Sequence, residues 1–388
     1  MKKILIGLGI MGITIVLIRS WVASEGVKNK VVDIRERRNL SETILKEFPD
    51  IYRDLTTRNT TGKFELLRQI TTLNDNGIYS YKGIATETDI ASLVEEVFLS
   101  NERSKTGEGL SVKEKLAILK ICTAQYDPEM KCGWDKPIPL SIDYLMKLLD
   151  DIDESVRSST ASALGDLGAK KAIPQLTELL KDTNESVRRS AAYALGNLEA
   201  REAIPQLTEL LKDSDIFVRF SAAHALGNLG VKDAIPQLTE LLKDNVMLVR
   251  WIAIHVLDKL NAKESIPQIT ELLKDSDKSI CEFTAATLGR LGAKEAIPQL
   301  TELLKDSNKP VRASAAYAIG KLDAKEAIPQ LIELLKDSDK SVRYSAADAL
   351  GKLGAKEAIP QLIKLLKDNS TDVRASAAAT LGQLGAKD

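Results

Sequence analysis

Seven prolines fall 31 residues apart, at Pro174, Pro205, Pro236, Pro267, Pro298, Pro329 and Pro360. Arginines keep the same period at Arg157, Arg188, Arg219, Arg250, Arg312, Arg343 and Arg374, with Cys281 standing where one is expected. A fixed period of this length marks a solenoid, because a repeat of two short helices is too small to enclose a core and buries its apolar face only against its neighbours. The period sets the architecture of residues 141–388 and directs attention to an extended recognition surface rather than a pocket.

Each unit is readable from residue types. In AIPQLTELLKD (172–182), Ile173, Leu176, Leu179 and Leu180 recur at helical spacing, so one stripe faces inward. Pro174 sits in the first turn, where its missing N–H costs nothing. A Thr-Asn, Ser-Asp or Ser-Asn pair then ends that helix and supplies a cap oxygen for the next, at Asn184, Asp215, Asp277, Asn308 and Asp339. The second helix, SVRRSAAYALGNL (186–198), presents Val187, Ala191, Leu195 and Leu198 on one face. Its small residues, Ala191, Ala192, Ala194 and Gly196, allow backbones to approach closely. Gly168, Gly230, Gly292, Gly354 and Gly385 suit the left-handed cap position, with Asn261 and Asp323 as next-best choices and Glu199 a poor fit.

The unit AIPQLTELLKDSDxxVRxSAAxALGxL resembles the HEAT repeat, in the short form named after the phycobilisome lyases. Eight units fit, starting near residues 141, 172, 203, 234, 265, 296, 327 and 358. The resemblance implies an all-α fold: a right-handed α-solenoid of eight helical hairpins over 141–388, preceded by a mostly helical cap region over 25–140. It is specific for fold and weak for function, since such arrays serve scaffolds, inhibitors, adaptors and a few enzymes.

Asp151, Asp182, Asp213, Asp244, Asp275, Asp306, Asp337 and Asp368 precede the second helices, and six residues further on stands the Arg column. In arrays of the family this chain resembles, these columns form a ladder of ion pairs between adjacent units. We read them as structural rather than as an anion-binding row. Cys281 breaks the ladder in the fifth unit, where the sequence predicts local softening.

Function is sought where the repeat stops repeating. One variable column of the second helix reads Arg189, Phe220, Trp251, Glu282, Ala313, Tyr344, Ala375; four residues on, the other reads Tyr193, His224, His255, Ala286, Tyr317, Asp348, Ala379. The helix starts add Ile216 and Phe217 in unit three and Met247 and Leu248 in unit four. Units three and four thus gather Ile216, Phe217, Phe220, Met247, Leu248 and Trp251 beside the chain's two histidines, His224 and His255, in a chain only 4% aromatic. Second helices of the arrays it resembles line the concave side, which implies an aromatic patch in mid-groove. Such a patch reads either as a partner-binding surface or as extra packing between repeats and under the N-terminal region.

His224 and His255 hold equivalent places in successive units, but two imidazoles fall short of a zinc site, and no metal or cofactor is expected. Iron-binding hydroxylases built on similar repeats use His-Glu pairs, and no His-Glu dipeptide occurs. Lys259, Arg290, Lys321 and Lys352, preceded in their column by Asn197 and Asn228, form a basic ridge. With a net charge of −1 and acids such as Glu295, Glu326 and Glu357 interleaved, this reads as a solvated face and not a nucleic-acid surface.

Residues 1–24 read as a signal peptide or N-terminal membrane anchor: Lys2 and Lys3 precede the apolar stretch 4–18, which is short for a full span. Export to a bacterial periplasm or cell envelope, cleaved or tethered, is the expectation. A cytoplasm-facing anchor is the alternative, because Arg19, Lys28, Lys30, Arg35, Arg37 and Arg38 follow the segment. Within 25–140, Thr86–Arg103 reads helical, Ser111–Glu114 opens a helix through Tyr126, and strands fit the segment 59–83. Cys122 and Cys132 flank a loop and are candidates for a disulfide in an exported protein, with free thiols the default.

No G-x-S-x-G, H-E-x-x-H or phosphate-cradling glycine loop occurs, so no catalytic residue is assigned and the chain does not read as an enzyme. The leading expectation is a scaffold or adaptor that binds another polypeptide in the groove around Phe220 and Trp251. The contrasting one, which the family name implies, is a chromophore lyase-like protein or an accessory of a redox complex.

Overall fold

The computed structural model describes residues 142–385 continuously, the strands β1 (Thr71–Leu73) and β2 (Tyr79–Tyr81), and Val97, Lys115 and Leu119. Residues 1–24, with the apolar stretch 4–18, and the pair Cys122 and Cys132 lie outside the described residues. Among the described residues no helix is long and apolar enough to cross a membrane. The chain divides into two compact units, Met1–Leu179 and Leu180–Asp388.

In the first unit, β1 and β2 pair antiparallel with Thr71 opposite Tyr81, inside the segment where strands were expected, and the other elements among the described residues are helical. Val97, Lys115 and Leu119 are helical, and Val97 and Leu119 are buried. Lys115 Nζ donates to Asp151 at 2.5 Å. The first member of the Asp column is therefore met by a cation from outside the repeats.

The repeats form eight helix pairs: α1 (Ile142–Leu148) and α2 (Glu154–Asp166), α3 (Ile173–Glu178) and α4 (Glu185–Asn197), α5 (Ile204–Glu209) and α6 (Ile216–Asn228), α7 (Ile235–Glu240) and α8 (Met247–Lys259), α9 (Ile266–Glu271) and α10 (Lys278–Leu291), α11 (Ile297–Leu303) and α12 (Lys309–Lys321), α13 (Ile328–Leu334) and α14 (Lys340–Lys352), α15 (Ile359–Leu365) and α16 (Thr371–Gln383). The first helices are shorter than their apolar stripes suggest. In units two to five they open with a 3-10 turn and close with another, as at Lys170–Ala172 and Leu179–Lys181. Proline occupies the first turn of the seven first helices from α3 to α15, and α1 has none.

Side-chain caps stand where expected: Asn184 accepts from the N–H groups of Ser186 and Val187, Asp215 from Phe217 and Val218, Asp277 from Ser279, Asn308 from Val311, and Asp339 from Ser341. Unit four departs from the pattern, with Val246 at the cap and no side-chain bond. At the helix ends the five glycines have positive φ, and so do Asn261, Asp323 and Glu199, the last at 58°. The fold forces Glu199 left-handed because the turn into the next unit is the same in every repeat.

Successive second helices pack directly on one another from α4 onward. Their glycine column explains how closely. A Cβ added to Gly289 would lie 2.8 Å from the Cα of Ala318, and one on Gly320 2.8 Å from that of Ala349. Asp258 interrupts this column in unit four, with Thr287 in place of alanine at the facing position of the next unit, and Val256 replaces the alanine that would face Gly227.

The Arg–Asp ladder forms, with one exception. Arg188–Asp213, Arg219–Asp244, Arg250–Asp275, Arg312–Asp337 and Arg343–Asp368 each place Nε 2.8 Å from Oδ2, with both side chains largely buried. Each Arg also donates from Nη1 to the carbonyl of its own unit's Asp, as Arg312 does to Asp306 at 2.8 Å. One guanidinium thus closes the loop of its own unit and pairs with the next. Burial alone would push Asp213 and Asp337 up, but hydrogen bonds from Arg188 and Arg312 and from the N–H groups of Asp215 and Asp339 hold both carboxyls below the ordinary range. Where Cys281 replaces Arg, its buried Sγ lies 3.2 Å from the Asp275 carbonyl and reaches no further. Lys278 takes over the lost pairing, donating to Asp306 at 2.9 Å.

Candidate functional site

The second helices from α4 to α14 carry three rows of side chains one helical turn apart, since residues four apart share a face. The first row holds Phe220 and Trp251, the second Tyr193, His224, His255 and Tyr317, and the third Asn228, Lys259, Arg290, Lys321 and Lys352. The 31-residue period places equivalent residues side by side, and the rings stack in register. Phe220 and Trp251 are 6.4 Å apart between centroids and 4° from parallel. Tyr193 and His224 are 6.5 Å apart at 12°.

Within unit four, Trp251 and His255 lie 5.5 Å apart at 1°. Phe283 of α10 completes this cluster, 5.6 Å from Trp251 and 6.4 Å from His255. The sequence reading missed Phe283, although a signal exists. It stands in a column that otherwise reads Ser190, Ser221, Ser314, Ser345 and Ser376, with Ile252 the other exception.

The eight candidate residues all fall on α6 and α8. Phe217 and Met247 are exposed, at 46% and 41%, and His255 is exposed as well. Ile216, Phe220, His224, Leu248 and Trp251 are half-buried. The structure joins Phe220, Trp251 and His255 in one ring cluster and places His224 instead against Tyr193. Phe217 is covered on one face by the Arg189 guanidinium at 5.9 Å. Phe220 and Trp251 are therefore held in place by stacking while part of each stays open to solvent.

His224 is pushed below the usual imidazole range, first by burial and then by the charges of Lys259 and His255. Asn228 Nδ2 lies 3.5 Å from its Nδ1. Among the described residues no group of three or more His, Cys, Asp or Glu side chains converges as a metal site would require.

The basic ridge is partly tied down. Lys259 donates to Asn228 at 2.9 Å, Arg290 pairs with Asp258 at 2.7 Å, and Lys352 with Asp348. The Lys321 and Lys352 ammonium groups also sit over the Tyr317 ring at 5.8 and 5.4 Å. Two open clefts of about 350 and 580 Å³ lie elsewhere, beside Gln268 of a first helix. Charged chains such as Lys232, Asp233, Glu240 and Glu264 line the larger one. None of the clustered rings lines either cleft.

Comparison with known proteins agrees with this architecture. The family profile of HEAT repeats matches residues 136–195, 173–258, 248–320 and 298–382, which together cover more than half of the chain. Among solved structures, an engineered protein superposes with a TM-score of 0.53 at 22% identity, covering 87% of this chain and 98% of its own. The E. coli protein YibA superposes at 0.51 and 22% identity, covering 64% of this chain and 93% of its own. The complex of CpcE and CpcF of phycocyanin lyase from Nostoc reaches only 0.37 at 22% identity, over 63% of this chain and 95% of the other, too loose a fit to carry an argument. No curated protein matches the chain. With its caps, ladder and profile in agreement, the chain belongs to the HEAT-repeat family.

Proposed function

We propose that this chain is a scaffold, without catalysis of its own, that binds a partner polypeptide on the second-helix face of units three to five. One observation carries the reading. Phe217 and Met247 stay exposed on the helices that carry the stacked rings of Phe220 and Trp251, with Phe283 tilted against Trp251, at places where units outside three and four carry Lys, Glu, Asp, Ser, Thr or Pro. A contiguous apolar patch of aromatic and Met side chains on a rigid array is the composition of a binding hot spot. The ladder, by contrast, spends its charges inside the array.

The test separates binding from packing. A Phe217→Ser/Met247→Ser variant removes exposed apolar surface and is expected to lose the partner while keeping the wild-type melting temperature. Trp251→Ala is expected to lose the partner as well. Retained partner with lost stability in both variants would show the patch to be packing. Export or tethering through residues 4–18 belongs to the same proposal, and fractionation of expressing cells checks it.

A further inference from the structure

The three rows change character along the array. Large apolar and aromatic side chains occupy units three to five, whereas exposed cations at Lys259, Arg290, Lys321 and Lys352 continue through units four to seven. Trp251, His255 and Lys259 lie on one helix, so the two regions meet in unit four. The cations are not equally available. Arg290 and Lys352 each have a carboxylate, Asp258 and Asp348. Lys259 reaches only the Asn228 amide and Lys321 only the Tyr317 ring face, with no carboxylate partner among the described residues. Lys259 and His255 lie close enough to His224 to lower its pKa further, after burial. Glu282 is the remaining acid in these rows, half-buried on α10.

The spacing also selects a conformation for whatever lies along the face. Packed helices stand about 8–10 Å apart. A polyproline-II strand rises about 3.1 Å per residue with three residues per turn, so residues three apart point the same way about 9 Å along. An extended chain in that form presents every third side chain to successive units without strain.

We propose that the occupant of this face is an extended acidic segment of another polypeptide, with one or two large apolar side chains seated on Phe217, Phe220, Met247, Leu248 and Trp251 and carboxylates at every third residue over Lys259, Arg290, Lys321 and Lys352. This rests on the ring cluster being the partner-binding surface and adds the chemistry of the partner. From Lys259 to Lys352 the face spans three unit steps, or about nine residues of such a segment. Lys259 and Lys321 contribute most, because binding need not displace an existing carboxylate.

A labelled synthetic peptide of about twelve residues tests this, with a Trp-Leu anchor followed by Glu at every third position and Pro or Ser between. Its comparators carry Gln for Glu, or Ser for the anchor. At low salt the Gln peptide is expected to bind about tenfold more weakly, and Lys259→Ala/Lys321→Ala to lower affinity for the Glu peptide to the same degree while its melting temperature stays unchanged. Lys352→Ala is expected to do less. Equal binding of the Glu and Gln peptides, an unaffected double variant, or no binding at all overturns the acidic segment. Tighter binding of a single-stranded oligonucleotide than of the Glu peptide overturns it in favour of nucleic acid. If the acidic preference fails while the Phe217→Ser/Met247→Ser variant still loses its partner, the scaffold reading stands without it.

Discussion

The same substitution at two places in one glycine column is expected to have opposite signs. Gly320 and Gly382 both lie in second helices, α12 and α16, and replacing either by alanine gains up to about 1 kcal/mol of helix propensity. At Gly382 nothing lies within 4 Å of the new Cβ. At Gly320 the new Cβ would stand 2.8 Å from Ala349 Cα and 2.9 Å from its Cβ. Carbon atoms at rest stand about 3.5–4.0 Å apart, so α12 and α14 would have to separate by roughly 0.7 Å or more.

Overpacking of this kind costs about 1–3 kcal/mol. The propensity gain is common to both sites and cancels in the comparison, leaving Gly320→Ala about 1–3 kcal/mol less stable than Gly382→Ala. Repeat arrays do not melt in one step, so the suitable assay is native-state hydrogen exchange resolved helix by helix, with protection read in α12 and α14 for one variant and in α16 for the other. Equal stabilisation by both substitutions would refute close contact between the second helices and the geometry that brings the rings into register.

Four further outcomes follow from the same structure. Lys278→Ala should lower the melting temperature by stranding Asp306, and Cys281→Arg should raise it and rescue Lys278→Ala; a neutral Lys278→Ala would show that the substitute pair contributes nothing. Glu199→Gly should stabilise by about 1 kcal/mol in urea unfolding, because a left-handed φ of 58° strains a residue with a Cβ. Acid should destabilise in two stages. Asp213, Asp306 and Asp337 have folded pKa values below the unfolded value of about 4, so their contribution is complete above that pH and is lost as pH falls through the lower folded values. His224 acts in the same direction from about pH 6.5 downward, and a urea midpoint that stays flat from pH 7.5 to 5, or that does not change in His224→Gln, would contradict its burial as a neutral ring.

Much of this structure was legible because the repeat averages out local ambiguity. A single Asp before a helix is weak evidence for a cap, but Asp215, Asp277 and Asp339 at one register leave no other reading, and each does accept the expected N–H bonds. The Arg and Asp columns gave the ladder in the same way. What periodicity hid were responses to its own violations. The role of Lys278 depends on the space and charge that Cys281 leaves at Asp306, which no column analysis reveals. Asp258, an intruder among the helix glycines, has its reason across the unit boundary in Arg290. Phe283 escaped because it breaks a column of serines rather than one of the two variable columns. Ring stacking likewise depends on helix spacing, which small residues permit but do not state.

Whether the ring cluster meets a partner is open to photo-cross-linking. A photoreactive side chain at Phe217 or Met247, set against one at Glu302 on a first helix, would be activated in cells that express the full chain, and any adduct identified by mass spectrometry. A partner seated on the rings gives one polypeptide cross-linked from both second-helix positions and not from Glu302, with the adduct lost in Trp251→Ala. The same yield from Glu302, or adducts unaffected by Trp251→Ala, would contradict it.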